Sequence, residues 1–508
     1  MYRALNIIFL LAGLALAQPA LAATKWTEAK TRHFIVYSDQ SEAELRIFAT
    51  QLEAYDSAIR SARGMPASEP APVNRLTIYV LPDEAAIQRI YGYSGVAGFY
   101  IPRASGSVAY VHRQVRNVRG ALNGQTVLLH EYFHHVMLQD LTIALPAWMV
   151  EGYAEFFGTA QFGKDGSVGF GAAADHRGYG LHYNDQALSL KSMLGLTYYN
   201  LTGAEYESIY GKGWLLTHFL AFEPARKGQV DRYVKAIQRG EPALKSAEAA
   251  FGDLGKLERE LAAYMKRKTL PFQSVPASRI DIGPIAVRNL SEAEAASIPL
   301  RMWSDRGVNP TEARRIAGEA RQAAQKFPNE PTVLTALAEA ELDTRRYAAA
   351  SEAADRVLAL RPESTKALML KGQALQGAAK ENPKAADWKA IRAWYLKANR
   401  LEPDAPGPLV LYYRSFKAAG LKPNASAIEG LMFAFETTPQ DSNLRTLVVR
   451  ELLEAKQLAE AQRVFAPVAY SSHADRRLAK NPKILAAIEQ GDAAAALTLL
   501  GKDEDQGS

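Results

Sequence analysis

The second half of the chain carries a period, and a period limits architecture more than any local motif does. Pro328, Pro362, Pro403 and Pro439 punctuate an alanine-rich stretch at intervals of 34, 41 and 36 residues. A unit closing on Pro362 sets Leu334, Leu337, Ala338, Tyr347, Ala350 and Leu358 at packing positions. The next closes on Pro403, with Gly372 at a small-residue position and an insertion near residues 378–386. A third closes on Pro439, residues 442–468 supply another with Leu458, Ala461 and Phe465, and Pro328 closes a degenerate first unit. One pair of helices cannot bury its apolar face alone, so neighbouring pairs must stack into a single elongated core.

The pattern resembles the tetratricopeptide repeat, which implies a superhelix with a concave surface for a protein partner. Ahead of it the sequence changes character. Short apolar runs, His33-Phe34-Ile35-Val36-Tyr37, Leu76-Thr77-Ile78-Tyr79-Val80 and Ser107-Val108-Ala109-Tyr110-Val111, read as strands, with a helix over residues 42–60 between the first two. From residue 125 to 267 the apolar spacing turns helical. The predicted class is α+β: a small α/β lobe and a helical lobe over residues 23–270, a linker over 271–295, all-α repeats over 296–500 and a tail over 501–508.

The N-terminus, with Arg3, an apolar run from Ala4 to Ala17 and the triplet Ala20-Leu21-Ala22, reads as a secretory signal peptide over residues 1–22. That apolar run is shorter than the roughly 20 residues a membrane span needs, and no later one reaches that length. With no cysteine in the chain, disulfides and thiolate ligands are excluded. A periplasmic or secreted location is the expectation. A net charge of +6 over 508 residues, without a long basic run, gives no reason to expect nucleic acid as a partner.

The chemistry concentrates in His130-Glu131-Tyr132-Phe133-His134. Residues 125–140 contain neither proline nor glycine and read as one helix, so His130 and His134 leave the same face one turn apart and can chelate one ion. Glu131 beside that face can reach a water at the metal without binding the metal, as a general base must. With 9 histidines in the chain, such a pentapeptide arises by chance on the order of once in 100 sequences. Two histidines and a glutamate inside an apolar helix also cost free energy unless they are coordinated or hydrogen-bonded.

A third ligand is expected from the next helix, which runs through Pro146, Trp148, Glu151, Gly152 and Glu155. Glu151 is assigned to the metal and Glu155 to the outer N–H of His130, fixing its tautomer; the reverse, Glu155 as ligand, is the alternative. Gly152 is expected to let this helix pack closely on the His helix. His135 points off the ligand face and reads as solvated or as support for the ligands.

These residues resemble the gluzincin metallopeptidases, and more closely the secreted "peptidase MA-like" group, in which a His-Glu-x-x-His helix precedes a Pro-x-Trp-x-x-Glu-Gly-x-Ala-Glu helix. The likeness extends to Trp26-Thr27-Glu28-Ala29 and to Gly98-Phe99-Tyr100, and so spans residues 23–268. It implies a zincin-like catalytic domain with Zn2+ on His130, His134 and Glu151. It also implies that the strand before the His helix, Ser107 to Val111, pairs with an extended substrate. Tyr210-Gly211-Lys212-Gly213 is similar to the Tyr-x-Lys-Gly segment of gluzincin aminopeptidases, which implies that Tyr210 stabilises the oxyanion. An aromatic core residue is the bland alternative for Tyr210, and His218 is its competitor. No Gly-x-Met-Glu-Asn segment precedes the metal helix, so the expectation is an endopeptidase acting on a peptide or protein, with the repeats recruiting protein clients or partners. The rival expectation is a repeat-based binding scaffold whose zinc site is structural or vestigial.

Overall fold

The computed structural model describes residues 25–67, 69–70, 74–114, 120–182, 187–195, 201–470 and 480–501. The expected signal peptide and nearly all of the tail lie outside the described residues. The chain is mostly helical, with one small mixed sheet, and no helix among the described residues is long and apolar enough to cross a membrane.

Nine strands occur among the described residues: β1 (Thr27–Lys30), β2 (Phe34–Ser38), β3 (Leu76–Leu81), β4 (Gly98–Ile101), β5 (Val108–His112), β6 (Gln161–Phe162), β7 (Val168–Phe170), β8 (Gln273–Val275) and β9 (Ala286–Asn289). Six of them form a sheet in the order β4-β5-β3-β2-β1-β9, and β6, β7 and β8 form a second sheet. Strand β5 runs parallel to β3 and antiparallel to β4. Residues 271–295, read as a linker, contribute β8 and β9; β9 pairs Ala286–Asn289 against Lys30–Thr27.

Helices α1 (Glu42–Arg63), α2 (Glu84–Tyr91), α3 (Gly124–Asp140), α4 (Ala147–Gly158), α5 (Gly178–His182), α6 (Leu190–Gly195), α7 (Gly203–Phe222), α8 (Gln229–Gln238), α9 (Ala243–Phe251) and α10 (Leu254–Met265) complete the N-terminal lobe. Alternation in the strands gives the sheet two apolar faces. Phe34, Val36, Ile78, Val80, Ala109 and Val111 point into the core shared with α1, α3 and α4. Tyr37, Tyr79 and Tyr110 point the other way.

That second face is covered by the first helix of the repeat region, α11 (Glu292–Arg306), whose Ile298 and Met302 join the tyrosines. Tyr110 donates to the Met302 carbonyl at 2.7 Å, and Tyr79 donates to Asp305 at 2.7 Å. Among the described residues eleven further helices follow: α12 (Pro310–Lys326), α13 (Pro331–Asp343), α14 (Tyr347–Leu360), α15 (Thr365–Glu381), α16 (Trp388–Leu401), α17 (Pro406–Ala418), α18 (Ala425–Thr437), α19 (Ser442–Glu454), α20 (Leu458–Phe465), α21 (Asn481–Glu489) and α22 (Ala493–Leu500). They stack as consecutive pairs, and Pro328, Pro362, Pro403 and Pro439 each follow the second helix of a pair. Small residues set the packing distance: a Cβ on Gly372 would fall 2.4 Å from the Tyr395 ring.

Candidate metal centre

Helix α3 starts where it does for two local reasons. The Asn123 side chain accepts the Thr126 N–H at 2.9 Å, capping the helix. A Cβ on Gly124 would lie 2.2 Å from the His112 carbonyl, so only glycine lets the first turn abut the end of β5. The helix is held from behind by Tyr55 of α1, which donates to the Leu129 carbonyl at 2.8 Å, and by Phe133 stacked on Phe157 at 4.5 Å.

Four residues carry ionisable groups into this interior: His130, His134, Glu151 and Glu155 are all buried. The Nε2 atoms of His130 and His134 lie 3.1 Å apart, and the Glu151 carboxylate is 3.2 Å from the first and 3.6 Å from the second. Tetrahedral zinc with bonds near 2.0–2.1 Å sets its ligands about 3.3 Å apart, so the donor triangle has the size the ion requires. Two imidazole nitrogens and one carboxylate also leave a fourth position open, as in zinc sites that act on a substrate.

Glu155 occupies the other side of His130. Its Oε1 is 3.2 Å from His130 Nδ1, so the structure brings His130, His134 and Glu151 together and sets Glu155 on the outer nitrogen. Two residues that spacing did not reveal hold Glu155 in turn. His176 Nε2 lies 2.7 Å from its Oε2, and Arg177 donates to its Oε1 through Nε at 2.9 Å and Nη2 at 2.5 Å. They sit on a short 3-10 turn, Asp175–Arg177, and the unmet charge of Glu155 is the one signal that asked for them.

Electrostatics follow from this crowding. Burial opposes protonation of His130, but the Glu151 and Glu155 carboxylates outweigh it and lift its pKa to about 10. Burial likewise opposes ionisation of Glu151, yet the two histidines hold its pKa well below the usual carboxylate range. For Glu155, Arg177 and the histidines overcome the same burial. The pocket thus keeps both carboxylates ionised and draws positive charge toward them.

Tyr210 lies within α7, which begins at Gly203 with a Thr202–Glu205 capping box. Its ring is 5.9 Å from that of His130 at 26°, and the Arg177 guanidinium lies 4.4 Å from its centre. Burial and the Glu151 charge push its phenol pKa well above 10, so it remains a donor at neutral pH. His218 is a core residue, with its ring nitrogens 2.9 Å from the Tyr264 hydroxyl and 3.0 Å from the Gly171 carbonyl. His130, Glu131, His134, Glu155, His176, Arg177 and Tyr210 line one cleft of about 840 Å³.

Three expectations are corrected. The strand at Ser107–Val111 cannot receive a substrate strand, because β5 is bonded on both sides; the open edge belongs to β4, which lines the cleft. Gly152 faces α7, where a Cβ would meet the Gly213 carbonyl at 2.4 Å, and the close approach to the His helix is made by Gly158, where a Cβ would lie 3.2 Å from His130 Cα. His135 is buried rather than solvated: its Nδ1 is 2.8 Å from the Tyr100 hydroxyl and its ring stacks on Tyr132.

No family model matches the chain, and no curated protein matches it. Among solved structures it is similar to a thermophilic tetratricopeptide-repeat protein of Thermus thermophilus, at 15% identity and a TM-score of 0.28, over 40% of this chain and 97% of that one. So loose a superposition carries no argument, and the repeat architecture rests on the helix pairs themselves.

Proposed function

We propose that the protein is a zinc-dependent endopeptidase. The observation that carries this reading is the buried triangle of His130, His134 and Glu151, with Glu131 lining the same cleft. A zinc ion held there would supply a Lewis acid for a peptide carbonyl and would acidify water. Glu131 takes the proton from the attacking water and delivers it to the leaving amine. Tyr210 donates its phenol hydrogen to the carbonyl oxygen as negative charge develops there. Glu155, braced by His176 and Arg177, holds the His130 ring in place. The free edge of β4 offers backbone groups to an extended peptide, which binds as an added strand.

The test uses Glu131→Gln. Zinc content should stay at the wild-type level while cleavage of a casein or peptide-library substrate falls by about 10²-fold or more. A purified protein without zinc affinity, or a variant that cleaves as fast as wild type, would overturn the reading.

A further inference from the structure

We propose that the repeat region builds part of the substrate site: Gln440, two residues before α19, receives the peptide residues on the N-terminal side of the bond to be cut. This inference rests on the peptidase reading. Three walls enclose the cleft: α3 with His130, Glu131 and His134; the β4 edge from Gly98 to Ile101; and Gln440, Ser442 and Val468 from the repeats.

The third wall is fixed to the second by a buried bond. Asp441 accepts the Ala104 N–H through Oδ2 at 2.7 Å, three residues beyond the end of β4. Its Oδ1 meanwhile caps α19, accepting from Asn443 N at 2.8 Å and Leu444 N at 3.0 Å. One carboxylate therefore sets the repeats in register with the edge strand.

Gln440 itself is 5% exposed, and its Oε1 has no hydrogen-bond partner among the described residues. A buried amide oxygen without a donor destabilises a fold unless something brings one. A peptide N–H is such a donor. Antiparallel addition is the more stable form of strand pairing. A peptide added antiparallel to β4 has its N-terminal end toward Ile101, the end anchored beside Gln440. Gln440 also borders a second cavity, lined by His33, Arg60, Tyr132 and His135, and this supplies the competing outcome.

The experiment uses the full-length, zinc-loaded protein and peptides with one or four residues before the cut, identical after it, with sites mapped by mass spectrometry. Wild type should gain about tenfold in kcat/KM from the longer N-terminal side. Gln440→Leu should lose most of that gain, and Gln440→Glu, which keeps an acceptor, should retain it. In the Glu131→Gln background, Gln440→Leu should likewise weaken equilibrium binding of the longer peptide about tenfold. A gain that survives in Gln440→Leu, in a protein that melts at the wild-type temperature, overturns the proposal and assigns the amide to the second cavity. Wild type that holds zinc and cuts no peptide overturns the peptidase reading, and this inference with it.

Discussion

The lobe and the repeat region bury charged groups in opposite ways. In the repeats a buried charge meets unlike groups, often two of them, as Glu341 meets Arg321 and Arg346 and Glu451 meets Tyr413 and Lys417. Arg445 donates to the Pro439 carbonyl, and Arg321 pairs with Glu341 at 2.6 Å. In the lobe, α3 and α4 drive two histidines and two glutamates together, and the nitrogens of His130 and His134 face each other. Without an ion the two nitrogens can share only a single N–H, whereas a metal ion would engage both lone pairs at once. Pairing of unlike groups marks bracing, whereas convergence of like groups, as at His130, His134 and Glu151, marks a place that could hold a metal ion.

The largest effect should come from breaking the convergence. Glu151→Gln keeps the shape of the site but removes its charge, and should cut zinc from about one ion per chain to under a tenth, with activity down about 10³-fold. Glu341→Gln, which breaks only a repeat brace, should leave metal content unchanged; atomic emission reads both. Next is the stability the ion confers: at 1,000 times its Kd, zinc should stabilise the lobe by about 4 kcal/mol, about 10 °C in calorimetry. A chelator should reverse that shift.

Packing separates the regions less. Gly152→Ala places a methyl 2.4 Å from the Gly213 carbonyl, between two helix backbones that cannot yield, and should cost about 3 kcal/mol. Gly372→Ala meets a side chain, the buried Tyr395 ring, rather than backbone, and should cost less, about 1 kcal/mol in urea unfolding.

An effect confined to higher pH belongs to a repeat residue whose carboxylate is held by a hydroxyl and outweighed by burial. Burial raises the Asp343 pKa from 3.8 to about 6, against one hydrogen bond from Ser304. Folding therefore favours its protonated form: the contribution is best below pH 3.8, declines as pH rises to 6, and is unfavourable above that. Asp343→Asn should stabilise the protein by about 2 kcal/mol at pH 7 and by nothing below pH 4.

How much of this was legible depended on the range of the interaction. The i,i+4 histidines and the Glu151–Glu155 pair are local, and helix geometry alone aims them at common points. The prolines were equally legible, since each ends a helix whatever surrounds it. Strand order was not, because alternation in Ser107–Val111 says which faces are buried and nothing about which neighbour covers an edge. His176 and Arg177 reach Glu155 from a turn with no periodic signature. Gln440 reaches the cleft from 306 residues beyond His134, a juxtaposition that the covering of the sheet by α11 and the Asp441–Ala104 bond create together.

That covering also orders events during synthesis. Strand β1 cannot gain its second neighbour until residues 286–289 exist, and Tyr37, Tyr79 and Tyr110 stay wet until Ile298 and Met302 arrive. Pairings so distant in sequence form slowly. The helices that carry His130 and Glu151 are therefore made long before the sheet beneath them can close, and the last wall of the cleft arrives only with Val468.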